Sequence, residues 1–408
     1  MKYPTLKTLG SAVALSSVMI ASGAHAKAEA KAEAKDLGMA ITGGNVGLNF
    51  RYRYENVDQN GIDREANAST LKSRLTWSSL PYRGFSAKIE VDNVTVIGDE
   101  RFRTPTNGET EFPIVADPDG TDVNQVFVKY KSEDFSTTAG RQRIVHGSQR
   151  FIGGVAWRQN EQTYDAVRLE VPSLGPVKLD YSYIADVNRI FGPEDSAVQP
   201  KRWQSDSHAL LASFSPADGH TVTLFSYLLD FENALVNSSS TYGAEYNGKL
   251  GPVTLKAALA SQSDYTDNPR DYEAEYYFVE AAVKVQKVTL GVGYEVLGSD
   301  DGAFAFRTPL ATLHKFQGWA DKFLVTPNAG IEDAYVKAAG KIGPVGVAAF
   351  YHDFSAEEGN ADYGTEFNLV ANYKVNKHIS TQLKYADYSA DELATDTSKL
   401  WLTLNFKF

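Results

Sequence analysis

The chain has 408 residues, of which 43% are hydrophobic and 12% aromatic, no Cys, and a formal net charge of −11. The missing Cys excludes disulfide frameworks, thiolate metal sites and cysteine nucleophiles, and the acidic balance argues against a nucleic-acid partner. With 22 Tyr and 21 Phe against 3 Met, the composition favours pleated, half-buried surfaces.

The first element is a leader. Lys2 and Lys7 give a positive n-region, Leu9 to Ser22 an apolar core, and Ala24-His25-Ala26 an A-x-A cleavage site. That core is shorter than the roughly 20 residues a spanning helix needs, so residues 1–26 are expected to be a cleaved signal peptide. The next stretch, Lys27-Ala-Glu-Ala-Lys-Ala-Glu-Ala-Lys35, favours helix but is too short to hold one alone. Residues 27–44 are expected to be a mobile periplasmic lead-in.

From Val46 onward the dominant period is two. Val46, Leu48, Phe50, Tyr52 and Tyr54 alternate with Gly47, Asn49, Arg51, Arg53 and Glu55. The last segment sets Leu400, Leu402, Leu404, Phe406 and Phe408 against Lys399, Trp401, Thr403, Asn405 and Lys407. Such segments put one apolar and one polar face on a strand. A soluble sandwich also alternates, but these segments run about 10–13 residues, long for soluble strands and suited to tilted membrane spans.

The connections alternate in length too. Tight turns are expected at 80–84, 132–134, 172–176, 215–219, 251–252, 286–287, 343–344 and 375–376. Longer loops fall near 58–65, 98–122, 144–162, 188–205, 232–240, 264–272, 298–330, 355–363 and 389–397. Short periplasmic turns and longer outer loops mark an outer-membrane barrel. The count predicts an all-β, antiparallel up-and-down transmembrane barrel over 45–408 with eighteen strands. Sixteen is the alternative, because the segments near 135–145 and 163–172 are weak. Aromatic residues near strand ends (Tyr52, Tyr54, Trp77, Tyr82, Tyr181, Tyr183, Tyr227, Tyr385, Tyr388) suit interfacial girdles or plain β-propensity.

The run Leu400–Phe408 resembles the C-terminal strand by which outer-membrane proteins are presented to the barrel assembly machinery. Two further stretches resemble porins of the alginate-export type. One is Gly140-Arg141-Gln142-Arg143 with Arg150, Trp157-Arg158 and Asp165. The other runs from Arg307 through His314, Lys315, Trp319, Asp321 and Lys322 to Phe323 and Pro327. The resemblance implies an eighteen-stranded channel in the outer membrane, in some members a conduit for an anionic polysaccharide.

Alternation nominates Arg51, Arg53, Lys72, Arg74, Lys88, Glu90, Asp92, Lys129, Arg168 and Lys178 as lumen-facing, and Lys399 and Arg141 join them as pore-lining candidates. Folding the first hairpin sets Arg51 opposite Lys72, and closure brings Lys399 near Arg53. The result is a basic patch that would attract anions in a narrow wet channel. Against it, the next hairpin sets Arg74 near Glu90 and Lys72 near Asp92, which would neutralise the patch. In loop 298–330, Leu310, Leu313, Phe316, Trp319, Ala320 and Phe323 recur at helical spacing between Pro309 and Pro327. A helical turn or two is predicted, folded into the barrel mouth so that Arg307, His314, Lys315, Trp319, Asp321 and Lys322 form a constriction. The alternative is a lid outside.

Other chemistry is weak. Asp117, Asp119 and Asp122 could hold Ca²⁺ but read better as a solvated turn. His352-Asp353 is the one pair suggesting catalysis, and the motifs of nucleophile elbows, zinc proteases and phosphate loops are missing. No cofactor is expected. The leading function is passive diffusion of small hydrophilic or anionic solutes such as oligosaccharides and sugar acids. The alternatives are a polysaccharide conduit, an outer-membrane enzyme and a structural or adhesive barrel. Expected partners are outer-membrane lipid, lipopolysaccharide and the assembly machinery, with a monomer favoured over a trimer.

Overall fold

The computed structural model describes residues 33–196 and 199–408; the expected leader and residues 27–32 lie outside them. Strands β1 to β6 are Asn45–Gln59, Ala66–Ser78, Phe85–Val96, Gly120–Lys131, Ser136–Gln142 and Thr163–Leu174. Strands β7 to β12 are Val177–Asn188, Arg202–Phe214, Thr221–Leu229, Ser239–Leu250, Val253–Asp264 and Glu273–Val285. Strands β13 to β18 are Val288–Leu297, Ile331–Ile342, Val345–Ser355, Asp362–Lys374, Ile379–Ala390 and Thr397–Lys407. All pairings are antiparallel, and β1 pairs with both β2 and β18. The eighteen-stranded sheet therefore closes on itself. Closure matters because an unpaired edge in hydrocarbon would leave backbone donors and acceptors without partners, each costing several kcal/mol. The two weak segments are both strands, β5 being seven residues long, so the expected eighteen strands are present and the alternative of sixteen falls.

The burial pattern is inverted relative to a water-soluble protein. On β1, Val46 and Leu48 are exposed while Arg51, Arg53 and Glu55 are buried. On β18, Leu400 and Leu402 are exposed while Lys399, Trp401 and Thr403 are buried. Leu75, Ile89, Val128, Leu290 and Phe367 continue the apolar outer surface. A wall with hydrocarbon outside and charge inside is stable only with lipid around it and polar matter within.

Several details differ from expectation. Part of the lead-in is ordered: α1 (Leu37–Thr42) is capped by Asp36, whose Oδ1 accepts from Met39 N–H at 2.7 Å. The Ala34 N–H donates to the Pro81 carbonyl, and Leu80 N–H to that of Ala40, so this segment is tied to the turn between β2 and β3. Arg51 does face Lys72, but closure sets Arg53 against Thr403 and Lys399 against Val57. In the second hairpin Arg74 opposes Asp92, while Glu90 opposes Thr76. Tyr227 and Tyr388 belong to no girdle, for both are buried and meet inward-folded aromatics, Phe151 and Phe323.

Candidate functional site

Two outer loops, 143–162 and 298–330, fold against the inner wall and join each other. Ile152 and Leu310 form an isolated parallel bridge. Gly153 N–H donates to the Leu310 carbonyl at 2.9 Å, and Thr312 N–H to that of Gln149 at 3.0 Å. A third loop contributes Asp117, whose Oδ1 accepts from Gln159 N–H at 2.7 Å.

Buried carboxylates are the nodes of this arrangement. Glu161 takes Lys72 at 3.5 Å, Arg74 at 2.7 Å and also Arg143. Asp321 takes Arg158 at 3.1 Å, Lys399 at 3.0 Å and His314 at 2.6 Å. Glu295 takes Arg150 at 2.9 Å and the Tyr276 hydroxyl at 2.7 Å. Glu366 on β16 accepts from Trp319 N–H and from Ala320 N–H at 2.9 Å, capping loop backbone that has no strand partner. Desolvated charges persist only when matched in this way.

Burial alone would raise the Asp321 carboxyl, but His314, Lys399 and Arg158 outweigh it and hold it well below the usual carboxylate range. His314 is pushed well below its ordinary value by burial, with Lys384 adding to the effect and Asp321 opposing it. A neutral ring fits the geometry. Nδ1 donates to Asp321, leaving Nε2 to accept from Lys384 Nζ. The ring also stacks on Trp157, with centroids 4.1 Å apart and planes 9° from parallel. Lys384 Nζ lies 3.7 Å from the Trp319 ring centroid and 4.2 Å from that of Trp157.

The predicted helix in loop 298–330 is reduced to one 3₁₀ turn, Leu313–Lys315. Gln317, Gly318 and Asp321 all have positive φ, at 48°, 76° and 62°, which ends any helix there. At Gly318 a Cβ would also collide with the Glu366 carboxylate. Helical spacing of the apolar residues reflected instead a chain lying on a curved wall: Leu310, Trp319, Ala320 and Phe323 are buried.

The nominated basic residues fall into four groups. Arg51, Arg53, Lys72, Arg74 and Lys399 point inward but are covered and paired. Arg51 donates from Nε to Gln159 at 2.8 Å and from Nη1 to the Ala156 carbonyl at 2.7 Å. Arg53 lies 3.7 Å from Asp117 with its guanidinium 4.2 Å from the Trp157 ring centroid. Lys129 and Arg168 are inward and paired with Glu170 and Asp180. Arg141 is a correction: it lies opposite outward-facing Val126 and bonds Asp165 at 2.8 Å, because alternation through Thr138 and Gln142 turns it to the outer face. Lys88, Arg307, Lys315 and Lys322 are inward or on the inner loop, half-buried, and without an ion-pair partner among the described residues. Burial, helped by Lys256, lowers Lys315 to about 8, and burial with Lys399 lowers Lys322 to about 8.

Arg143, Arg150, Trp157, Arg158, Glu161, Glu366 and Lys384 were missed as site residues. Density of Arg and Glu in loop 144–162 was the available signal, and β16 and β17 alternation would have placed Glu366 and Lys384 inward. The acidic turn does not converge: Asp117 turns to Arg53 and Arg158, while Asp122 lies 3.7 Å from Arg141. Among the described residues no three acidic or His side chains form a metal site. His352 pairs with Asp333 at 2.8 Å, not with its neighbour Asp353.

A closed eighteen-stranded wall with lipid-facing hydrocarbon and inward-folded outer loops defines a porin-type outer-membrane barrel. The chain belongs to the alginate export family, whose pattern matches residues 44–289. No curated protein matches it in sequence. Among solved structures it is similar to Acinetobacter baumannii OccAB4, with a TM-score of 0.71 and 14% identity over 90% of this chain and 98% of that one. Pseudomonas aeruginosa OccK9 (OpdG) gives 0.71 and 15% over 90% and 99%. Pseudomonas aeruginosa OpdK with vanillate gives 0.69 and 14% over 90% and 99%. At these identities the likeness is one of fold.

Proposed function

We propose that the chain is a passive channel for small hydrophilic solutes that prefers anions. One observation carries this reading. The loop 298–330 is pinned inside the wall and leaves Arg307, Lys315 and Lys322 without an ion-pair partner among the described residues, while Lys72, Arg74 and Lys399 of the wall beneath it are matched by carboxylates. Unpaired cations in a narrow, low-dielectric passage concentrate anions, whereas paired ones serve to hold the loops. The nominated patch of Arg51, Arg53, Lys72, Arg74 and Lys399 thus acts as an anchor, and selection falls to the loop and to Lys88.

Reversal potentials under a salt gradient test this reading. Raising the pH from 7 to 9 carries Lys315 and Lys322 through values of about 8, removing positive charge, so anion preference should fall. In Lys315→Met with Lys322→Met it should already be low at pH 7 and change little. A preference independent of pH in the wild type contradicts the assignment.

Family membership supports a second reading, a conduit for an alginate-like polyuronate. Liposome swelling with neutral sugars, small carboxylates and uronate oligomers separates the two. We read the chain as non-enzymatic, in keeping with its membership of the alginate export family. Its other partners are outer-membrane lipid, lipopolysaccharide and the assembly machinery, and it works as a monomer.

A further inference from the structure

The periplasmic ends of the strands repeat one arrangement. Lys249-Leu250, Lys284-Val285, Lys341-Ile342, Lys374-Val375 and Lys407-Phe408 each end a strand with a Lys followed by an apolar residue. Leu250, Val285, Ile342, Val375 and Phe408 are exposed on the lipid side. Alternation turns the preceding Lys to the lumen side, and the register agrees, with Lys249 opposite Thr254, Lys284 opposite Thr289 and Lys374 opposite Ser380. Lys131 holds the equivalent place on β4, opposite inward-facing Ser136. All six are exposed. Further in, Lys129, Lys256 and Lys337 are paired with Glu170 or Glu280, whereas none of the six has an ion-pair partner among the described residues. The tight turns themselves contribute only Glu133, Asp134 and Asp218 as carboxylates.

Two adjacent loops at the outer end have the opposite sign. Loop 355–363 carries Glu357, Glu358 and Asp362, and loop 389–397 carries Asp391, Glu392 and Asp396, neither with a Lys or Arg.

We propose that the lysine collar is a second, mouth-level determinant of passage that makes the channel rectify. The inference rests on the channel reading. Fixed positive charge at one mouth and negative at the other biases which ion enters from which side, on the scale of a Debye length of about 8 Å. Anions enter readily from the lysine end and cations from the acidic end. Current is therefore larger when the outer compartment is positive, because both ions are then driven in from their favoured mouths. With the opposite polarity both are driven against like charge.

The experiment uses the full mature chain in planar bilayers at low salt, with insertion sidedness read from protease cleavage at a site placed in loop 355–363. The wild type should pass more current with the outer side positive. Lys249→Gln, Lys284→Gln, Lys341→Gln and Lys374→Gln combined should reduce the current ratio towards one. Should that variant fail to assemble, the wild type at about 1 M salt supplies the second measurement, since a Debye length of about 3 Å should also abolish rectification. A symmetric wild-type current, one favouring the other polarity, or a ratio unchanged by both treatments overturns the collar's role. A chain that passes no ions at all refutes instead the channel reading.

Discussion

Deleting residues 308–325 should raise single-channel conductance severalfold, the largest functional change expected of any alteration here. The segment includes Leu310, bridged to Ile152, Trp319 and Ala320, held by Glu366, and Asp321, held by Arg158 and Lys399. Each contact joins the loop to the inner wall or to loop 143–162, so its removal widens the path rather than trimming an outer lid. Long ordered loops that fold back on a scaffold commonly act in this way. The wall should survive, because its strand-to-strand pairing does not involve residues 308–325. Recording in planar bilayers checks both points. A conductance equal to that of the intact chain would place the loop outside the path.

Asp321→Ala should be the most damaging single substitution. Arg158, Lys399 and His314 converge on this carboxylate, and removing one partner of a buried charge pair costs about 3–5 kcal/mol because the remaining charges stay desolvated. Arg158 keeps Glu55 at 2.9 Å, whereas Lys399 has no other carboxylate partner among the described residues. The uncovered loop should detach, giving a lower unfolding midpoint in denaturant and noisier, larger current steps. Asp321→Asn keeps one acceptor and should fall between the two. Unfolding and current traces like those of the parent chain would show that the cluster holds nothing together.

Architecture was far more legible in the sequence than the site. Alternation from Arg51 to Tyr54 or from Lys399 to Phe408 is dictated by a pleated strand with lipid on one side, so it can be read residue by residue. Turn lengths then give the strand count. Contacts between Asp321 and Lys399, or Trp319 and Glu366, join residues far apart in the chain and leave no local period. The same is true of loop 298–330 itself. Its apolar spacing resembled a helix because one side is buried, but the positive φ at Gln317 and Asp321 depends on tertiary contacts that no local pattern announces. Arg141 is the reverse case, since it lies within the Gly140–Arg143 stretch of family resemblance while plain strand parity turns it outward opposite Val126.

The sharpest test of the whole account exploits the absence of Cys. Single cysteines placed in turn at Phe367, Leu369, Leu400 and Leu402, and at Glu366, Asn368, Trp401 and Thr403, can carry a fluorophore in lipid vesicles. Lipid-borne quenchers should darken the first four and spare the second four, alternating along each strand. Equal quenching at neighbouring positions, or the opposite alternation, would contradict a hydrocarbon-facing barrel with its charges turned inward.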